Sequence, residues 1–314
     1  MLKIIFLSSL LFVTQFSFAV VLEPGENEFF KTTDNHNLRS VKVRDQGLNY
    51  VYGSGGVFSV SQREKYKQVL KKTLELENYP FQWSLRNLSQ DFIIKESRSS
   101  QLKLFGASVS KIFVAGALLN QLEGTLSNHL LTELAKMIVV SDNRSWTYLQ
   151  KQIGKGDSDQ GRRYIDDFTQ RRGYLRTVAF QGWLGQKHGN EITAHETNQF
   201  IRDTYYQRYP GASTLWKVMY ATRTGRNRGK KYLPKTMYVG GKTGTYAGST
   251  VDPETGSRTF PDGSPYKVNV HHHALVFSCG GEQFSLVALN NTGDQEASSV
   301  LVAGLIEEHL PHCL

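Results

Sequence analysis

Three short segments of this 314-residue chain have the residue types to do chemistry together: Ser108-Val109-Ser110-Lys111, Ser141-Asp142-Asn143 and Lys242-Thr243-Gly244-Thr245. A serine hydroxyl is a weak nucleophile until a base takes its proton. A lysine desolvated in apolar surroundings can be that base, because burial disfavours its charged form. Val109 to Leu119 reads V-S-K-I-F-V-A-G-A-L-L, apolar on nearly every face, as in a helix buried all round. On such a helix residues three apart share a face, so Ser108 and Lys111 point the same way, and the free amides of the first turn favour negative charge beside Ser108. The chemistry implied is attack by Ser108, with Lys111 as its activating partner, through an acyl-enzyme.

Two of these segments have look-alikes, which context removes. Ser100 with Lys103 lies in a polar stretch and Ser264 with Lys267 leads into an alternating, strand-like run, so neither opens a helix. Arg223-Thr224-Gly225 lies in a basic loop ending at Lys231. Lys242 to Thr245 instead follows Met237-Tyr238-Val239-Gly240-Gly241, a β-prone stretch whose glycines let a ligand approach the backbone. Ser141-Asp142-Asn143 occurs once, after the apolar run Met137 to Val140, where a polar triplet marks a helix end or a turn.

In this order, S-x-x-K, S-D-N and K-T-G resemble the signature of the class A β-lactamases and penicillin-binding proteins. Phe105 to Lys111, Met137 to Asn143 and Val239 to Thr245 look like the corresponding stretches of the class A branch of the penicillin-recognising serine hydrolases, and Ile192-Thr193-Ala194-His195-Glu196-Thr197 resembles the start of the helix after the family's Ω-shaped loop. The resemblance spans residues 62–310. It implies that Ser108 is acylated, that Lys111 activates it, and that Ser141 relays a proton to the leaving nitrogen. Asn143 would hold the Lys111 ammonium and the substrate's side-chain amide. Lys242, Thr243 and Thr245, in the strand that includes Gly244, would bind the substrate carboxylate. The oxyanion would sit between the backbone N–H groups of Ser108 and Thr245. No cofactor is implied.

One departure bears on the substrate. The family's β-lactamases carry a glutamate, in an E-x-x-L-N segment of the Ω loop, that activates the deacylating water. Here the matching stretch, Gly173 to Gly189, contains no Asp or Glu. Glu191 is the nearest acid and the candidate substitute base; its plain reading is a helix N-terminal acid favoured by the dipole. Without a positioned base, hydrolysis of a β-lactam acyl-enzyme is expected to be slow.

Lys3, the apolar run Ile4 to Val13 and Ser17-Phe18-Ala19 read as a signal peptide cut after Ala19, with an uncleaved anchor as the alternative. The mature chain would then lie in the periplasm or outside the cell, beside peptidoglycan, without a transmembrane helix. Cys279 and Cys313 form an even pair that an oxidising compartment invites to bridge, although sequence does not give the geometry. The formal net charge of +9 is clustered at Arg162-Arg163, Arg171-Arg172 and Arg226 to Lys231. Such clusters suit anionic wall polymers or solvated faces, and no nucleic-acid motif accompanies them. His271-His272-His273 is read as strand surface rather than a metal site, since neighbours in a strand alternate faces and no acid or cysteine has ligand spacing.

A helix introduced by Ser61 over Glu64 to Leu76 is expected, then strands over Phe81 to Leu88 and Phe92 to Lys95. A long helical middle runs from Ser108 to about Met219; strands return at Met237 to Tyr246, Val268 to Phe277 and Phe284 to Leu289, and Val300 to Leu310 closes as a helix. This pattern is an α+β class, an α/β sandwich: one antiparallel sheet built from both ends of the chain, flanked by helices, with an inserted all-helical lobe over 108–220 and the motifs at the seam. Residues 20–60 are an N-terminal extension without a counterpart, joined through Gly53-Ser54-Gly55-Gly56 as a flexible junction to a hydrolase domain over 61–310. The expectation is an exported serine hydrolase acting on D-alanyl peptides of the cell wall and acylated by β-lactams. The alternatives are a β-lactamase and a non-catalytic binder of wall fragments or β-lactams.

Overall fold

The structure, a computed structural model, describes residues 38–75, 80–178, 190–252 and 255–314. The expected signal segment, and the stretch before Gly189 from residue 179 on, lie outside the described residues.

A short hairpin, β1 (Lys42–Val43) and β2 (Gln46–Gly47), precedes helix α1 (Val60–Lys72). Strands β3 (Phe81–Asn87), β4 (Phe92–Glu96) and β5 (Leu104–Phe105) lead to a 3-10 turn (Ala107–Ser110) and helix α2 (Lys111–Gln121). Helices α3 (Asn128–Val139), α4 (Asn143–Ile153) and α5 (Ser158–Arg171) follow. Then come β6 (Glu191–Ile192), α6 (Ala194–Tyr205) and α7 (Ala212–Tyr220). The chain returns through β7 (Val239–Ser249), β8 (Lys267–Cys279) and β9 (Glu282–Asn290) to α8 (Gln295–His309). The main sheet has the order β4-β3-β9-β8-β7 and is antiparallel throughout. Both ends of the chain contribute strands, as the sequence pattern predicts.

The strands alternate, but the sheet's inner strands are covered on both faces. Phe81, Trp83 and Leu85 of β3 join one core with α1 and α8. The opposite face of the same strand packs on α6 through hydrogen bonds: Asn198 donates to the Ser84 carbonyl (2.7 Å), and Gln82 Oε1 accepts from the Ala194 amide (3.3 Å). Polar residues are tolerated there because they are paired. A second core joins α2 to the surrounding helices of the lobe. Among the described residues no helix is long and apolar enough to cross a membrane.

Several local expectations are corrected. Helix α1 starts at Val60 and is capped by Ser59, because the Gln62 side chain reaches back to the Ser59 amide (3.1 Å) in a capping box that Ser61 cannot make. The run Gly53 to Gly56 is a strap rather than a flexible junction. Four consecutive backbone amides donate to Met237, Lys230, Leu233 and Lys231 over 2.8–3.1 Å. A Cβ at Gly53 would lie 2.3 Å from the Pro234 carbonyl oxygen, so glycine serves close approach there. The histidine run is not strand surface either: His272 and His273 are buried, because β8 lies between β7 and β9 with helices on both faces. His272 bridges the Phe105 carbonyl (2.8 Å) and the Asn290 amide (3.0 Å).

Cys279, at the end of β8, is bonded to Cys313, with Cα atoms 5.5 Å apart and a sequence separation of 34. The bridge ties the tail after α8 to the sheet. A loop of this size should contribute about 3–4 kcal/mol. We expect thiol titration of the unfolded, unreduced protein to find no free cysteine. The double variant Cys279→Ser, Cys313→Ser should lose stability of that order in urea unfolding; an unchanged midpoint would refute the contribution.

Candidate active site

The nucleophile candidate stands at a turn that the local sequence bends sharply. Ala107 has φ of +46°, a left-handed conformation costly for a residue with a Cβ, immediately before Ser108. Asn190 holds this turn, donating to the Ala107 carbonyl (2.5 Å) and bonding the Ser110 hydroxyl, while the Gly106 amide bonds the Asn190 carbonyl (2.7 Å). Ser108 remains partly exposed. Lys111, one turn on, is fully buried.

Ser141-Asp142-Asn143 forms the turn between α3 and α4, and each residue has its own task. Ser141 takes φ of +62°. Asp142 is the N-cap of α4, its carboxylate accepting from the Ser145 amide at 2.7 Å. Asn143 is then the first residue of α4, and its Oδ1 accepts from Lys111 Nζ at 2.7 Å. Lys111 also donates to the Ser141 carbonyl at 2.7 Å and to Ser141 Oγ at 3.3 Å, and it lies 4.8 Å from the centre of the Trp146 ring. Trp146 follows Asn143 by three residues and so shares its helix face.

From the opposite side, Lys242 on β7 donates to Ser141 Oγ at 2.9 Å and to the Thr243 carbonyl at 2.7 Å. Ser141 thus receives two lysines across the seam between lobe and sheet. Gly244 lets β7 close on the nucleophile turn: a Cβ there would meet the Gly106 carbonyl at 3.0 Å and the Val109 amide nitrogen at 3.2 Å. Thr243 bonds Thr224 (2.8 Å), Arg228 donates to the Gly244 carbonyl (3.0 Å), and Thr245 is exposed on the strand beyond.

Burial dominates the electrostatics. It pushes the Lys111 ammonium down to about 7, partly opposed by the Asp142 charge. Lys242 is lowered too, first by burial, then by the charges of Lys111 and Arg228. An ammonium beside an ammonium has little reason to stay charged, so the pair can share fewer than two protons near neutrality. His273, opposite Thr243 in the sheet, is held neutral by burial and by Lys230, Arg228 and Lys242. The arrangement can accept a proton from a neighbouring hydroxyl at Lys111, pass one through Ser141, and present positive charge to an anion at Lys242.

The sequence-selected residues Lys111, Ser141, Asn143, Lys242 and Thr243 converge in one bonded network, with Ser108 and Gly244 beside it and Thr245 next along β7. Glu191 is 2% exposed on β6, opposite Phe105, and its carboxylate is 3.1 Å from Lys103 Nζ. The look-alikes are also placed. Ser100 is buried and its carbonyl accepts from the His195 amide (2.9 Å), Lys103 belongs to Glu191, and Ser264 is exposed on Asp262. The structure adds Asn190, Trp146, Thr224 and Arg228, of which only Trp146 had a signal in its spacing.

No protein-family profile and no curated protein matches the chain. Solved structures do. The extended-spectrum β-lactamase TLA-3 is similar with a TM-score of 0.59 at 14% identity, over 78% of this chain and 98% of its own. A β-lactamase from Xanthomonas campestris pv. campestris is similar with a TM-score of 0.57 at 16% identity, over 80% and 97%. An ancestral class A β-lactamase, GNCA, is similar with a TM-score of 0.57 at 16% identity, over 79% and 99%. Almost the whole of each neighbour is therefore matched, at low sequence identity. The chain has a class A β-lactamase-like fold.

Proposed function

We propose that the protein is an exported serine hydrolase that forms an acyl-enzyme on Ser108, acts on D-alanyl peptides of the cell wall, and is acylated by β-lactams. The observation that carries this reading is the buried amine of Lys111, lowered toward neutrality and bonded to Ser141 and Asn143 beside the nucleophile turn. In the proposed reaction Lys111 takes the proton of Ser108 Oγ as it attacks the substrate carbonyl. The backbone amides of Ser108 and Thr245 receive the oxyanion, Ser141 hands a proton to the leaving nitrogen, and Lys242, Thr243 and Thr245 hold the substrate carboxylate. Water then releases the acyl group.

A β-lactamase is the second reading, supported by the solved structures of similar fold. Against efficient turnover stands the lack of any acid from Gly173 to Gly189, together with the pairing of Glu191 to Lys103.

A fluorescent penicillin is expected to label the wild type and not Ser108→Ala, while Ser100→Ala and Ser264→Ala label at the wild-type rate; labelling of Ser108→Ala would overturn the assignment. The acylation rate should rise about tenfold per pH unit below pH 7 and level off above it, because the neutral amine, the base, appears as pH passes the lowered value of Lys111. Lys111→Arg should lose at least about 100-fold in acylation, since guanidinium stays protonated. With Glu191 committed to Lys103, mass spectrometry should find a penicilloyl adduct that persists, with a deacylation rate unchanged within about twofold in Glu191→Gln. Rapid turnover that collapses in Glu191→Gln would make the protein a β-lactamase.

A further inference from the structure

The oxygens that receive the Lys111 amine all come from the start of α4: the Ser141 carbonyl and Asn143 Oδ1 at 2.7 Å, and Ser141 Oγ at 3.3 Å. They match the three hydrogens of an ammonium, and two of them suffice for a neutral amine. Trp146, one turn further along the same helix, adds a contact of another kind. Lys111 Nζ lies over its ring, 4.8 Å from the centre, and both side chains are buried. The indole N–H has no hydrogen-bond partner among the described residues, so the ring meets polar groups through its face rather than its edge.

The face of an indole is negative, and it attracts an ammonium most strongly where water is excluded. The same face repels the lone pair of a neutral amine, so it disfavours rotamers that aim the lone pair at the ring. The ring thus treats the two forms of Lys111 differently, which is what moves a proton affinity. The other influences on the amine are few. Burial favours the neutral form, and the Asp142 charge opposes that. Lys242 approaches from β7 and shares Ser141 Oγ. Helix α2 also packs on α3, α5 and α7, and among the described residues no ionisable group of those helices acts on the amine.

We propose that Trp146 is a positioning residue for the acylation step: its ring face holds the Lys111 amine against Ser141 and Asn143 and favours the ammonium, so that Lys111 takes the Ser108 proton more readily than burial alone would allow. The inference rests on the reading of Lys111 as the base of Ser108. In that step the Ser108 Oγ–H bond breaks, Oγ bonds to the substrate carbonyl carbon, and the proton goes to Lys111 Nζ. The ammonium that forms there gains the attraction of the ring. The contact is therefore stronger after proton transfer than before it, which is the condition for a contact to speed a step rather than only to hold its reactants. Asn143 and Trp146 lie three apart on α4, so one helix supplies both the oxygen that aims the amine and the ring that weights its charge. A desolvated contact of this kind should raise the proton affinity of the amine by about one pH unit.

The test replaces Trp146 of the full-length protein, by nonsense suppression, with tryptophans carrying one to four ring fluorines, which weaken the negative face and nearly keep its shape. The first readout is the titration midpoint of the Lys111 amine, followed by carbon-13 NMR at its Cε in Ser108→Ala protein and assigned by the loss of that signal in Lys111→Arg. The second is the pH profile of penicillin acylation with Ser108 intact. Both midpoints should fall stepwise with fluorine number, by about one pH unit when the face is fully fluorinated. The same fluorination at Trp83, in the core formed with α1 and α8, should leave both midpoints where they are. Trp146→Phe, which keeps an aromatic face, should acylate at least about tenfold faster than Trp146→Leu, which does not. An amine midpoint that ignores fluorination of Trp146, or that responds equally at Trp83, would overturn the inference whatever acylation does. An amine midpoint that falls while the acylation profile stays fixed would instead strike the reading of Lys111 as the base, and the inference would fall with it.

Discussion

Lys111 projects from the first turn of a helix in which every residue from Lys111 to Leu119 is buried, and its ammonium has no access to water. Removing such a charge from water costs several kcal/mol, so the surrounding structure must either pair it or let it lose its proton. Here it does part of each. Two oxygens at 2.7 Å favour the ammonium, and burial opposes it. The left-handed turn at Ser141, the cap at Asp142 and the face of α4 that carries Asn143 and Trp146 are the geometry needed to bring those oxygens to one amine. The strain at Ala107 and Ser141 costs about 1–3 kcal/mol each and persists because packing on both sides leaves the turns no alternative.

Much of this was legible because the chemistry is concentrated in three short segments whose neighbours announce their secondary structure. An apolar run from Val109 makes α2 readable, and the apolar stretch before Ser141 makes α3 readable. Strands at both ends of the chain give the sheet. What sequence withholds is set by tertiary neighbours. Asn190 lies some 80 residues from the turn it holds, and Thr224 sits in the segment that imitates K-T-G and matters because it touches the motif itself.

The misread elements share a physical origin. Polar and glycine-rich stretches read in sequence as solvated surface or a flexible junction, whereas the folded chain packs them against its interior. His272 and His273 occupy a strand covered on both faces, where the pattern of alternation between core and solvent no longer applies. Gly53, Gly55 and Gly56 lack side chains, so the backbone of this run can lie against Leu233 and Pro234, which makes an apparent linker a strap bonded to the segment before β7. Helix α1 shifted by its cap for a similar reason: a reciprocal bond pair at Ser59 and Gln62 outweighs the better-looking serine two residues on.

Strand β3 pairs over its whole length with β9, so that Phe81 lies opposite Asn290, and roughly 200 residues of chain separate the two partners. Everything between them, including the whole helical lobe, must emerge before the middle of the sheet can close. A growing chain can therefore pack Lys111 against Asn143 and Trp146 early, through contacts close in sequence, yet β7 has no partner until β8 arrives, and the β3–β4 pair does not join the rest of the sheet until β9 does. Half of the cleft is thus a product of local folding and the other half of the last stretch to be synthesised. Lys242 lies 101 residues after the Ser141 that it bonds, and a chain cut short before β9 would carry β7 and β8 without the strand that joins them to β3.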